Sequence, residues 1–376
     1  MEFRDLKKQY QCNKIGIDLA IQEVLNNANY IGGSQVDRLE KMLAEYVGVE
    51  HCITCANGTD ALQLALMTWN IGKGDAVFVP DFTFFASGEV VPAVGASPIF
   101  VDIDPDTYNM SAESLEKAIQ YVIEQTNLTP KVVIAVDLFG HPADFDEIRI
   151  IAKRNNLLIL EDGAQGFGGK IGERKACSFG DIATTSFFPA KPLGCYGDGG
   201  AIFTNNAAWA ELLRSYRVHG KGKDKYDNIR TGMNSRLDTL QAAILIEKLN
   251  FFEKEMLLCN NIAEEYTRQL KDIVKTPVVR ENVVSSWAQY TICLQNQQQR
   301  EFIMSSLQKI GVPYAIYYNK PMHQQKAFDR YNNNLMYEKT ETICKQCLSL
   351  PMHPYLSQND INIVCNRIIN EIKNLE

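Results

Sequence analysis

Long apolar runs are missing from this 376-residue sequence. The best, Val90 to Val101, covers twelve residues, is broken by Pro92 and Pro98, and is too short to cross a bilayer. The opening residues Met1-Glu2-Phe3-Arg4-Asp5-Leu6-Lys7-Lys8 lack the apolar stretch of a signal peptide. Positive charge is not in excess either. Against 45 Asp+Glu stand 38 Lys+Arg, a net charge of −7, which argues against wrapping nucleic acid or docking on an anionic membrane. A few local cations remain available for a small anionic substrate. The five histidines (His51, His141, His219, His323 and His353) form no i, i+4 pair, and none is singled out as a general base. No Gly-x4-Gly-Lys-Ser/Thr loop occurs. The ten cysteines are scattered through a large chain rather than dense in a small one, which predicts reduced thiols in a soluble, cytoplasmic protein.

What is present is an ordinary globular composition, 45% apolar and 22% charged, long enough for roughly two or three units at about 150 residues each. The first two thirds alternate strand-like and helix-like segments, the pattern of a mostly parallel sheet covered by helices. A helix is predicted over Ser34 to Val47, with Ser34 as N-cap and Gly48 as its stop. Buried strands are predicted at Ala76 to Val79, Pro98 to Val101, Val132 to Val136 and Leu157 to Leu160. Several lead into acids (Asp102, Asp137, Glu161 and Asp162), and ligands of open α/β sheets gather outside the carboxyl ends of strands. Leu237 to Leu258 reads as a helix bridging to a second unit. That unit would hold a strand (Trp287 to Leu294), a helix (Arg300 to Ile310), an extended run (Val312 to Tyr318) and a closing helix from Ser357 with Ile361, Val364, Cys365, Ile368, Ile372 and Leu375 on one face.

Four constellations carry chemistry. Asn57-Gly58-Thr59-Asp60 follows a strand-like run, so backbone N–H groups, a hydroxyl and a helix dipole would converge on one point suited to a phosphate; the plainer alternative is a helix start capped by Thr59. Asp162 ends an apolar strand, where a partly buried carboxylate needs a cation such as a protonated heteroaromatic nitrogen; it could equally cap the following turn. Lys191 stands alone in the uncharged stretch Thr184 to Gly194, among aromatics and prolines that would lower its pKa and free it for Schiff-base formation rather than leave it solvated. Asn234 and Arg236, just ahead of a helix, could bind a phosphate and a carboxylate or diphosphate; Asn234 or Ser235 could also simply cap that helix.

In this order the motifs resemble fold-type I pyridoxal-phosphate (PLP) enzymes, and more closely the DegT/DnrJ/StrS family of sugar-nucleotide aminotransferases. The resemblance runs nearly end to end, through Tyr30-Ile31-Gly32-Gly33, Asn57 to Leu62, Gly74-Asp75, Glu161-Asp162-Gly163-Ala164-Gln165, Ser186 to Lys191 with Gly199-Gly200-Ala201, and Asn234-Ser235-Arg236. It implies an aspartate-aminotransferase-like α/β fold: a large PLP-binding domain over 1–250, carrying N-terminal helices and a mostly parallel seven-stranded sheet, and a small α+β domain over 251–376. It also implies that Lys191 condenses with the cofactor aldehyde and shuttles the proton. Asp162 would pair with the ring nitrogen, Gln165 would bond the phenolic oxygen, and Phe84 would stack on the ring. Gly58, Thr59 and Ser186 would hold the phosphate, with Asn234 reaching it from the second subunit of a homodimer. Gly163, where alanine is more usual, is expected to matter little.

The tract Phe187 to Gly200 resembles the branch that aminates C3 of UDP-linked 3-keto-2-acetamido sugars, hexuluronic acids among them, for surface polysaccharide, with glutamate as donor. Arg236, Tyr317 and Tyr318 match its substrate contacts, although Tyr317 stands where the branch has histidine. The alternatives weighed are a 4-keto-6-deoxy sugar 4-aminotransferase, a PLP-dependent sugar dehydratase and a non-catalytic regulator on the same fold. The dehydratases resembling this chain carry histidine at the lysine position, and a pure binding module need not keep Lys191. A dinucleotide site at Gly166 to Gly172 lacks a following amphipathic helix. A zinc site from Cys52, Cys55, Cys344 and Cys347 is disfavoured because strand residues three apart face opposite sides.

Overall fold

The computed structural model describes residues 1–224 and 226–375. Two helices come first, α1 (Leu6–Asn27) and α2 (Ser34–Val47). The predicted extent of α2 holds, but its cap is Gly33 rather than Ser34: Gly33 takes φ +88°, a backbone region glycine enters freely, and the Ser34 hydroxyl turns to Gln35 instead. Strands and helices then alternate as β1 (His51–Cys55), α3 (Gly58–Thr68), β2 (Asp75–Pro80), α4 (Phe85–Ala93), β3 (Ser97–Val101), α5 (Ala112–Gln125), β4 (Thr129–Val136), α6 (Phe145–Arg154) and β5 (Leu158–Asp162). A short hairpin, β6 (Lys170–Ile171) and β7 (Arg174–Lys175), is followed by β8 (Ile182–Ser186), β9 (Gly200–Thr204) and α7 (Ala207–Tyr216). The glycine run at 166–172 therefore leads into a hairpin, not into the helix that a dinucleotide site needs.

Seven strands form one sheet in the order β1-β9-β8-β5-β4-β2-β3. The pairs β2·β3, β2·β4, β4·β5 and β5·β8 are parallel, and only β9 runs against its neighbours. Helices cover both faces, so strand residues such as Val132, Val133, Ile134 and Ala135 are all fully buried, which is why these segments read as unbroken apolar runs. Cys52 and Cys55 of β1 pack into different apolar clusters on opposite faces of the sheet.

Helix α8 (Thr239–Leu270) is twelve residues longer at its C-terminal end than predicted, and residue 250 falls within it. From Cys259 onward its buried side chains join a separate core with β11 (Tyr290–Cys293), α9 (Gln297–Lys309), β12 (Cys347–Leu350) and α11 (Gln358–Lys373), whereas β10 (Val283–Val284) pairs with β6, and Ile343 and Cys344 of α10 (Glu338–Gln346) pack into the core of the large sheet. The run 312–318 is not a strand; only Ala315 makes a bridge, to Ser349 of β12, since the Val312 N–H is taken by the Leu307 carbonyl and Pro313 has none to give. Ser357 caps α11 in a capping box with Asp360, but Leu375 lies beyond the helix and is 51% exposed rather than on its buried face.

Candidate active site

The carboxyl ends of β5 and β8, the start of α3 and the loop after β2 surround a cavity of about 680 Å³. Gly58, Thr59, Phe84, Asp162, Gln165, Ser186, Lys191, Tyr317 and Tyr318 all line it. Residues as far apart as 58 and 318 are thus brought together, as an open sheet with ligands at its carboxyl edge requires.

At one end, α3 begins beside β8. Its cap is Asn57, not Thr59: the Asn57 side chain accepts the N–H of Asp60 at 2.8 Å, which leaves the Thr59 hydroxyl and the first helical N–H groups facing an anion site. A Cβ on Gly58 would lie 2.8 Å from the Ser186 Cβ, so only glycine lets these two walls approach. Gly58→Ala is accordingly expected to weaken binding of a phosphate-bearing cofactor about tenfold, read as its dissociation constant by absorbance titration.

At the other end Asp162 is buried and held from two sides. Ser87 Oγ donates to Oδ2 at 2.7 Å and the Ala164 N–H to Oδ1 at 3.2 Å, while Thr83 Oγ lies 3.1 Å from the Ser87 hydroxyl. Burial pushes the Asp162 carboxyl up, opposed by those donors and by the Lys191 charge. A cationic ring nitrogen beside it would restore the ionised form. Burial lowers the Lys191 amine, opposed by Asp162 and helped by Arg4. Gln165 is oriented by its Oε1, which accepts the Phe139 N–H at 2.8 Å, so its amide donor faces the cavity and the Tyr318 hydroxyl, 3.2 Å away. Phe84, 54% exposed, is the N-terminal flank of α4 with its ring 6.4 Å from that of Tyr318. Phosphate cradle, buried carboxylate, oriented amide, aromatic and amine together fit PLP.

Asn234 and Arg236 are exposed and do not line the cavity of their own chain. Between them Ser235 is buried and accepts the Ala56 N–H at 3.1 Å, fixing this segment beside the α3 loop. Of the other strand-end acids, Asp102 caps α10 by accepting the N–H groups of Lys339 and Thr340, so it is structural and not a site residue. Reading the sequence did not single out Ser87, although it lies one helical turn after Phe84 and so shares its face. Nor did it find Arg4, whose partner is 187 residues away.

Directly behind the site lies a second carboxyl pair. Burial pushes the Glu161 carboxyl up to about 7, opposed by the backbone N–H groups of Cys177, Phe179 and Gly180 that it accepts, whereas Asp137 Oδ2 has no donor among the described residues. Burial and the Glu161 charge hold the Asp137 carboxyl well above the usual range, so the pair keeps one proton, on Asp137. A raised folded pKa means the native state retains a proton that the unfolded chain releases near pH 4. Stability should therefore fall as pH rises above about 4, by at most about 1.4 kcal/mol per pH unit for one proton. Asp137→Asn, which supplies a permanent donor, should flatten this slope in melts recorded from pH 5 to 8. The turn after Asp162 is equally tight: a Cβ on Gly163 would lie 2.5 Å from Cys177 Sγ and 3.2 Å from the Thr184 carbonyl. Cys177 thus fills the space an alanine side chain would need.

Comparison with known proteins agrees with this geometry. Residues 12–369 match the model of the DegT/DnrJ/EryC1/StrS aminotransferase family. The chain belongs to that family. It is therefore a PLP-dependent sugar aminotransferase, and its fold is theirs. The UDP-2-acetamido-2-deoxy-3-oxo-D-glucuronate aminotransferase of Pseudomonas aeruginosa is 46% identical over 98% of this chain and 100% of its own length. The UDP-N-acetyl-3-dehydro-alpha-D-glucosamine 3-aminotransferase of Acidithiobacillus ferrooxidans is 37% identical over 95% of this chain and 94% of its own. A crystal structure of a family aminotransferase from Brucella abortus superposes with a TM-score of 0.95 at 50% identity, covering 98% of both chains. A pleiotropic regulatory protein from Geobacillus stearothermophilus is also similar, at 39% identity over 97% of this chain and 96% of its own. Among the described residues, no helix is long and apolar enough to cross a membrane.

Proposed function

We propose that this aminotransferase moves the amino group of glutamate to C3 of a UDP-linked 2-acetamido-2-deoxy-3-keto hexose or hexuluronic acid. It would work in the cytoplasm, in the synthesis of surface polysaccharide such as lipopolysaccharide O-antigen. What supports this reading is the end-to-end 46% identity to an enzyme named for such a substrate, joined to a cavity lined by Lys191, Asp162, Gln165 and Ser186.

The residues divide the work. When bound, PLP supplies an electron sink for the carbanion next to nitrogen. Asp162 holds the proton on the ring nitrogen; Gly58, Thr59 and Ser186 hold the phosphate. Gln165 donates to the phenolic oxygen and Phe84 covers the ring. The Lys191 amine, lowered in pKa by burial and so readier to give up its proton, would serve as the nucleophile toward an aldehyde and as the proton carrier at Nζ. Asn234 and Arg236 serve the cavity of the second subunit of a homodimer, which the exposure of Tyr30, Ile31, Phe84 and Phe188 supports. The large unit (1–250) carries the cofactor residues, and the small one (251–376) brings Tyr317 and Tyr318 to the substrate. Among the described residues, Lys191 is the only Lys, Arg or His lining the cavity within one chain, and burial keeps the Tyr317 phenol neutral. A sugar carboxylate would thus depend on the partner subunit's Arg236, whereas a neutral 3-keto hexose needs no such cation.

The test is spectroscopic, then synthetic. Purified, cofactor-loaded protein should absorb in the visible and bleach on adding glutamate, and the bleached form should regain its colour with the correct acceptor. Comparing 3-keto and 4-keto UDP- and TDP-sugars, with and without a C6 carboxylate, should single out a 3-keto UDP-sugar. Recovery with a 4-keto-6-deoxy sugar alone would replace the proposed substrate, and no bleaching with any amino donor would remove the transaminase reading.

A further inference from the structure

The residues ahead of α1 reach two walls of the cavity at once. Phe3 accepts the Met352 N–H through its carbonyl at 3.1 Å, the Glu2 carbonyl lies 3.2 Å from His353 Nε2, and the Phe3 ring stands 6.3 Å from that of Tyr317. The next residue, Arg4, donates from Nη2 to the backbone carbonyl of Lys191 at 3.1 Å. The arginine ion pairs among the described residues involve Arg149, Arg154, Arg217, Arg268, Arg280 and Arg367, not Arg4, so this guanidinium is committed to the lysine segment. The far end of that segment is held separately from α8. Lys248, itself buried, donates to the Gly194 carbonyl, and the Gln241 Oε1 accepts the Tyr196 N–H at 2.8 Å.

We propose that Arg4 is a positioning residue for amino transfer: it fixes the main chain of Lys191 and places a positive charge beside it, while its neighbour Phe3 fixes Tyr317. The inference rests on Lys191 being the reacting amine. A lysine that attacks, departs and returns as a proton carrier sweeps its side chain through the site, so its Cα must stay fixed for the amine to return to the same point. The carbonyl is the group to hold, because it anchors the backbone without touching the amine. A nearby cation also disfavours the protonated amine. The groups facing Lys191 are Asp162, which raises its pKa, and Arg4, which lowers it; those facing Arg4 are Lys248 and Cys259 on α8 and His353 in the small unit.

Two variants separate charge from geometry. In full-length, cofactor-loaded protein, Arg4→Gln keeps a donor for the carbonyl and removes the charge. The pH midpoint at which the visible band changes should move upward, with a smaller loss of kcat. Arg4→Lys keeps the charge and loses the planar fork. Its midpoint should stay near that of the parent while kcat falls about tenfold and KM for glutamate changes less. An unmoved midpoint in Arg4→Gln, or parental kcat in Arg4→Lys, would overturn the proposal. Loss of the visible band from the parent itself would instead remove the assignment of Lys191, and the role of Arg4 with it.

Discussion

Replacing Lys191 by alanine is expected to lower kcat by about four orders of magnitude or more. A positioned general base alone contributes roughly 10²–10⁴-fold, and this lysine also supplies the covalent attachment from which each half-reaction starts. Because Asp162, Gly58 and Gln165 belong to other segments and Ser186 is held in β8, the variant should keep the cavity and bind cofactor non-covalently. Its absorbance should then be that of the free aldehyde rather than of a lysine adduct. Turnover retained within tenfold of the parent would show that another amine carries the proton; among the described residues lining the cavity of one chain there is no other Lys, Arg or His.

Asp162→Asn should slow the reaction by about two to three orders of magnitude, the usual loss when one preorganised electrostatic partner is removed. The cause is specific. Asp162 is buried with a donor on each oxygen, but burial still raises its carboxyl, so its anion is restored by a cation facing it. An amide has no charge to offer, so the ring nitrogen would lose its proton and the carbanion its sink. Single-turnover mixing with glutamate should locate the loss in the proton-transfer step, with cofactor affinity less affected because the phosphate cradle is untouched. A loss confined to cofactor affinity, with parental single-turnover rates, would make Asp162 a binding residue only.

Legibility followed the range of the interaction. Strands such as Val132 to Val136 could be read directly because burial on both sheet faces leaves an unbroken apolar run. Asp162 and Lys191 could be read because each breaks such a run with a charge. Caps were harder, as they turn on local competition: Asn57 outcompetes Thr59, and Gly33 replaces Ser34, through backbone angles that composition does not reveal. Val312 to Tyr318 has the residue types of a strand, yet its first N–H turns back to the Leu307 carbonyl and Pro313 offers none, so only Ala315 bridges to β12. What the sequence could not show were partners distant along the chain. Arg4 and Lys191, or Gly163 and the Cys177 sulfur that fills its missing side chain, meet only after folding.

The central claim is that one amine, on Lys191, joins the cofactor opposite Asp162. The most direct measurement is to reduce the coloured protein with borohydride, digest it and map the tagged peptide by mass spectrometry. The account predicts a single reduced phosphopyridoxyl group on Lys191, lost when the protein is first saturated with glutamate. A tag on any other lysine, or none at all, would contradict it.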